Sequence, residues 1–98
     1  MKETIREITN EKLEKYFEVT GKALNKAKEA LNKEELAKAE DFLDMATRYY
    51  EDAKYFKEKQ DYVLAFGALN YAHGWLDAGA RIKLFLVNDS TLFTVDEE

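Results

Sequence analysis

The stretch from Ala39 to Gly79, AEDFLDMATRYYEDAKYFKEKQDYVLAFGALNYAHGWLDAG, carries two mirrored strips of small residues. Ala39, Ala46 and Ala53 recur every seven residues before Lys59-Gln60; Ala65, Ala72 and Gly79 do the same after it. Residues seven apart lie on nearly the same side of a helix, so each set is a narrow strip without bulk. Folding the chain back at Lys59-Gln60 sets Ala53 against Ala65, Ala46 against Ala72 and Ala39 against Gly79. Two such strips let antiparallel helices approach near the close end of the usual ~8–10 Å interaxial range. The pattern predicts a helical hairpin of residues 33–59 and 61–87, with Asp61 as the N-cap of its second helix.

Upstream, Leu13, Phe17, Thr20, Leu24, Ala27 and Leu31 alternate in steps of four and three, the stripe of an amphipathic helix. This first helix is expected over residues 4–31. Thr4 and Glu7 are spaced as a capping box, and Asn10 offers a later start. Ile5 and Ile8 fall off the stripe's register. Asn32, with Glu35 three residues on, reads as the cap of the next helix. On the third predicted helix, Leu64, Trp75 and Ile82 flank the small strip on one side and Tyr62, Leu69 and Leu76 on the other. Bulk on both shoulders calls for two neighbouring helices. The expected fold is therefore all-α: an antiparallel up-and-down three-helix bundle with close Ala/Gly packing between helices two and three. Residues 1–88 form the bundle domain, and 89–98 a C-terminal tail in which Leu92, Phe93 and Val95 are apolar enough to dock.

Composition narrows the function classes. The chain has 98 residues, 46% hydrophobic and 36% charged, the make-up of one globular domain rather than a disordered chain. With no cysteine there is neither a disulfide framework nor thiolate chemistry. MKETIREITNEKLEKYF is too charged for a signal peptide, and the uncharged run Tyr62–Leu76 falls short of the ~20 residues of a membrane span. A cytoplasmic protein with no membrane association is the simple expectation. Net charge is −5, and residues 61–98 hold two Lys/Arg against six Asp/Glu. Only Lys22, Lys26, Lys28 and Lys33 cluster, which disfavours nucleic acid as a partner.

The run Tyr49–Phe85 closely resembles an archaeal family called domain of unknown function 357. The resemblance is carried by Tyr50-Glu51-Asp52-Ala53, by Asp61-Tyr62 and by Tyr71-Ala72-His73-Gly74-Trp75-Leu76-Asp77-Ala78-Gly79-Ala80-Arg81. It implies a small all-helical bundle and supplies no catalytic residue or cofactor. The turn departs from the family pattern, with Gln60 where the resemblance leads one to expect glycine. Gln60 must then tolerate a helix C-terminus without glycine's left-handed freedom. A single tetratricopeptide-like hairpin is a weaker likeness: that fold needs repeats of roughly 34 residues, and no second copy is present.

No catalytic constellation stands out. His73 is the only histidine, with Asp77 four residues on, but no serine or cysteine nucleophile and no phosphate loop accompany it. The expectation is that the protein is not an enzyme. Metal and cofactor sites are not expected either: the chain lacks paired Glu-x-x-His motifs, and one histidine without cysteine rules against structural zinc. Asn70, His73, Asp77 and Arg81 form a polar set at helical spacing. Val63, Phe66, Leu84 and Phe85 are expected on the outer side of the third helix, with Gly67 and Gly74 allowing another helix to approach. Candidate interaction residues are therefore Asn70, His73, Gly74, Asp77, Arg81, Val63, Phe66, Gly67 and Phe85. They point to a non-enzymatic interaction module that forms a homodimer or binds a protein partner, unless the tail covers this surface. A ligand or nucleic-acid cleft lined by Tyr49, Tyr55, Tyr71, His73 and Arg81 is the alternative, so small-ligand binding stays open.

Overall fold

The computed structural model describes residues 8–94. Among these residues three helices follow in order, α1 (Asn10–Glu29), α2 (Leu36–Glu58) and α3 (Tyr62–Arg81), with a 3-10 turn (Lys33–Glu35) leading into α2. α2 and α3 share the largest interface, as the mirrored strips require, and α1 packs mainly on α3. Ala39, Ala46, Ala53, Ala65 and Ala72 are all fully buried.

α1 is shorter than expected at both ends. Thr9 caps it, its hydroxyl accepting from the Lys12 amide at 3.1 Å. Thr4, Ile5 and Glu7 lie outside the described residues, as do Val95 and the acidic residues after it. Leu13, Thr20 and Ala27 of the predicted stripe are buried, joined by Ala23. The helix stops at Glu29 because the next residues pair elsewhere. Leu31 forms an antiparallel bridge with Phe85. The Leu86 amide donates to Ala30 O and the Asn32 amide to Leu84 O, each at 2.8 Å. Asn32 is a hub rather than a simple cap. Its Oδ1 accepts from the Glu34 amide at 3.0 Å, while its Nδ2 donates to Lys83 O at 2.9 Å. The Glu35 carboxylate pairs with Lys38 at 3.5 Å.

Both helices of the hairpin end on left-handed residues that are not glycine: Gln60 at φ 62° and Lys83 at φ 66°. At the first, the Asp61 amide reaches back to Phe56 O (2.9 Å) and the Gln60 amide to Lys57 O (3.0 Å), a Schellman closure. At the second, the Leu84 amide donates to Gly79 O at 2.8 Å in the same pattern. Left-handed backbone costs an L-residue roughly 1–2 kcal/mol, partly offset in Gln60→Gly by the freer unfolded chain. Gln60→Gly is therefore expected to stabilise the fold by about 0.5–1 kcal/mol in urea unfolding.

The early stop of α3 corrects the expected helix over 61–87 and changes where its last residues go. Once the chain turns at Lys83, Leu84 and Phe85 swing inward and are buried, Phe85 to 1% exposure. Phe85 is therefore a core residue and not part of an outer interaction face. Its ring fills the space beside Gly79, where a Cβ would lie 2.6 Å from Phe85 Cδ2 and 3.1 Å from Cζ. Gly79 is small for the sake of Phe85 at least as much as for α2. The core falls into two clusters: Ala23, Ala27, Ala46, Leu76, Ala80, Phe85 and Phe93 in one, and Leu13, Ala53, Ala65, Ala68 and Leu69 in the other. The shoulders of α3 are unequal: Leu69 and Leu76 are buried, whereas Leu64 and Ile82 stay exposed.

Candidate functional site

α3 presents two flanks with different chemistry. On the α1 side, His73 sits at the centre of a polar node. Its Nε2 lies 2.7 Å from Leu92 O, and its Nδ1 3.1 Å from the hydroxyl of buried Thr20. A carbonyl only accepts, so Nε2–H donates to Leu92 O, and in the neutral ring Nδ1 accepts from Thr20. Asp77, one turn on, is 3.7 Å from Nε2. Its carboxylate accepts from the Thr94 amide (2.8 Å) and the Thr94 hydroxyl (3.2 Å). His73 and Asp77 are thus engaged with the C-terminal tail, whose Phe93 is buried in the core.

The tail has a second clip. Asp89 accepts from the Thr91 amide at 3.0 Å and from the Thr91 hydroxyl, and it pairs with Lys26 of α1 at 3.1 Å. The Thr91 hydroxyl, aided by the Lys26 ammonium and the Thr91 amide, lowers the Asp89 carboxyl from 3.8 to about 2. A carboxyl depressed on folding contributes stability above its unfolded value and loses it as pH falls through the folded one. The clip is therefore complete above about pH 4 and fails towards pH 2. Asp89→Asn is expected to speed amide exchange in the tail at neutral pH. That difference from wild type should vanish as both are acidified towards pH 2, as hydrogen-exchange spectra can show.

On the α2 side the surface is apolar and open. Gly67, Gly74 and Ala78 floor a groove of about 620 Å³, walled by Phe42, Tyr71 and Trp75 with Asn70 beside it. Phe42 and Trp75 meet edge to face at 4.9 Å, and Tyr49 stacks on Tyr71 at 5.1 Å. A Cβ on Gly67 or Gly74 would meet nothing within 4 Å. Val63 is 72% exposed and Tyr71 65%.

Of the residues singled out in the sequence, Gly67, Asn70 and Gly74 come together at this groove, and Val63 and Arg81 are exposed on the same helix. Phe66 turns towards α1 and packs edge to face on Tyr16 at 4.9 Å. His73 and Asp77 face the tail. The Tyr/His/Arg cleft is not assembled: Tyr49 and Tyr71 stack on the α2 side, His73 bonds towards α1, and Tyr55 packs on Phe56. Phe42 and Trp75 at this groove are residues that spacing alone reads as flanks of the buried small strips. Their periodicity is that of buried residues, and nothing in it shows that both are only half-buried and border the groove.

No helix among the described residues is long and apolar enough to cross a membrane. Among the same residues, no group of three or more His, Cys, Asp or Glu side chains is placed to hold a metal ion.

These features define a small all-α domain with one flank closed by its own tail and the other left open. The chain belongs to the family described as Protein of unknown function (DUF357), whose model matches residues 15–85. No curated protein and no solved structure matches it.

Proposed function

We propose that this is a non-enzymatic interaction module that engages a second copy of itself, or a helix of another protein, through the open groove on α3. The observation that carries this reading is the pair of glycines. Each glycine in a helix interior costs roughly 0.5–1 kcal/mol relative to alanine. Gly67 and Gly74 recover none of this within the chain, because a Cβ at either position would point into empty space. A bare helix surface beside exposed Val63, Leu64 and Tyr71 suits close approach by another helix. In an antiparallel α3 pair, Gly67 and Gly74 sit opposite one another across the two-fold axis, the self-complementarity that an isologous dimer needs. Both ring nitrogens of His73 are already committed, which supports a non-enzymatic role.

The test is sedimentation velocity on wild type and Gly74→Leu. Wild type is expected to gain mass with rising concentration, while Gly74→Leu stays monomeric. Because the site is open, the same substitution should raise thermal stability by about 0.5–1 kcal/mol through helix propensity. Loss of association therefore cannot be ascribed to unfolding. A wild type that stays monomeric at high micromolar concentration removes self-association. If a photo-crosslinker at Tyr71 then captures no protein in the host cell, the partner reading goes too.

A further inference from the structure

Val87 marks a change in how the chain is held. Up to Leu86, main-chain pairing with the α1–α2 connection fixes the segment, through Asn32 N–H to Leu84 O and Leu86 N–H to Ala30 O. Beyond it, side chains do the holding: Lys26 to Asp89, His73 to the Leu92 carbonyl, and Asp77 to Thr94. The amides of Leu92 and Phe93 turn inward to Asp89 O, at 3.1 and 2.9 Å. Residues 88–94 are therefore a self-contained turn pressed against the bundle, not an extension of it.

The surface beneath is shaped for that turn. Phe93, 2% exposed, shares a cluster with Ala23 and Ala27 of α1 and Leu76 and Ala80 of α3, where small side chains leave room for a ring. Around the ring stand one cation for a carboxylate (Lys26), one N–H for a carbonyl (His73) and one carboxylate for an amide and a hydroxyl (Asp77). An aromatic anchor ringed by oriented polar groups is how short linear segments are recognised.

We propose that the slot between α1 and α3 is a peptide-recognition site for the segment Asp89-Ser90-Thr91-Leu92-Phe93-Thr94. This chain's own segment is its resident ligand, docking and releasing as a unit about Val87-Asn88. Covalent tethering supplies an effective concentration in the millimolar range, so the slot is closed to competitors until the strap is weakened.

Two measurements on the full chain test this. By amide exchange, Leu92, Phe93 and Thr94 are expected to open at least ~10-fold more readily than Leu84 and Leu86, with little dependence on denaturant. If they exchange only with Leu84 and Leu86, in one global event, the strap does not exist. In the second measurement, a fluorescein-labelled peptide of residues 87–94 is titrated against wild type and Phe93→Ala. It is expected to bind Phe93→Ala at least ~10-fold more tightly than wild type, since the variant's own strap no longer competes. Adding Asp77→Asn to that variant should weaken the binding. A helical Phe93→Ala protein that binds no peptide overturns the recognition site. If Phe93→Ala does not fold, the exchange measurement on wild type decides alone.

Discussion

Phe85→Ala is expected to destabilise the protein by about 3–5 kcal/mol, the usual cost of removing a fully buried phenyl ring and leaving a cavity. Phe85 is 1% exposed and, among the described residues, is the largest fully buried side chain. It joins the α3 terminus to Leu31 through the isolated bridge and lies in one cluster with Ala46, Leu76 and Phe93. On the α3 side the ring borders Gly79, which has no side chain to swing into the vacated space. The expected loss is therefore that of an ordinary buried-ring truncation. Urea unfolding followed by circular dichroism measures it. A loss below ~1 kcal/mol would mean that Phe85 is not the keystone its burial implies.

Gly79→Ala is expected to cost about 1–3 kcal/mol, although alanine is the better helix former by roughly 1 kcal/mol. The added methyl would sit 2.6 Å from Phe85 Cδ2, a separation that real side chains do not tolerate. The ring is wedged between helix and bridge, so it cannot step aside as the free end of an exposed side chain would. The two sites are therefore coupled. In a double-mutant cycle, Gly79→Ala should do less harm, or even stabilise, once Phe85 is alanine, because the methyl then fills part of the vacated space. Additive losses would show that the Gly79 strip is governed by α2 instead.

The hairpin was legible because its signal is local and repeated. Five alanines at heptad spacing require a close antiparallel pair whatever else the chain does, and all five are buried. Asp61 was equally legible as an N-cap, its Oδ1 accepting from the Leu64 amide at 3.1 Å. The end of α3 was not. Helix ends are usually read from glycine or proline, and here the left-handed position falls on Lys83, which carries neither signal. Leu84 was the available clue, since a Schellman turn places an apolar residue just after its left-handed one. Missing that turn carried Phe85 to the wrong side of the molecule.

The candidate site divides along the same line. Gly67 and Gly74 could be placed on the outer side of α3 from spacing alone, and they line its open groove. Helical spacing puts Asn70, His73 and Asp77 within one another's reach, yet Asn70 lies at the groove, and periodicity gives no hint that His73 and Asp77 are reserved for residues 92 and 94. Those contacts span 17 to 19 positions along the chain and depend on where the tail returns.

The sequence by itself determined an all-α hairpin with buried alanine strips and the bare strip on its outer helix, because these depend only on spacing along a regular backbone. Only the tertiary structure decided where the chain stops being helical, that Phe85 and Phe93 complete the core, and which flank of α3 the tail closes. Each of those outcomes rests on a left-handed turn at Lys83, a residue with no intrinsic preference for it. That turn is held in place by the burial of Leu84 and Phe85 immediately after it.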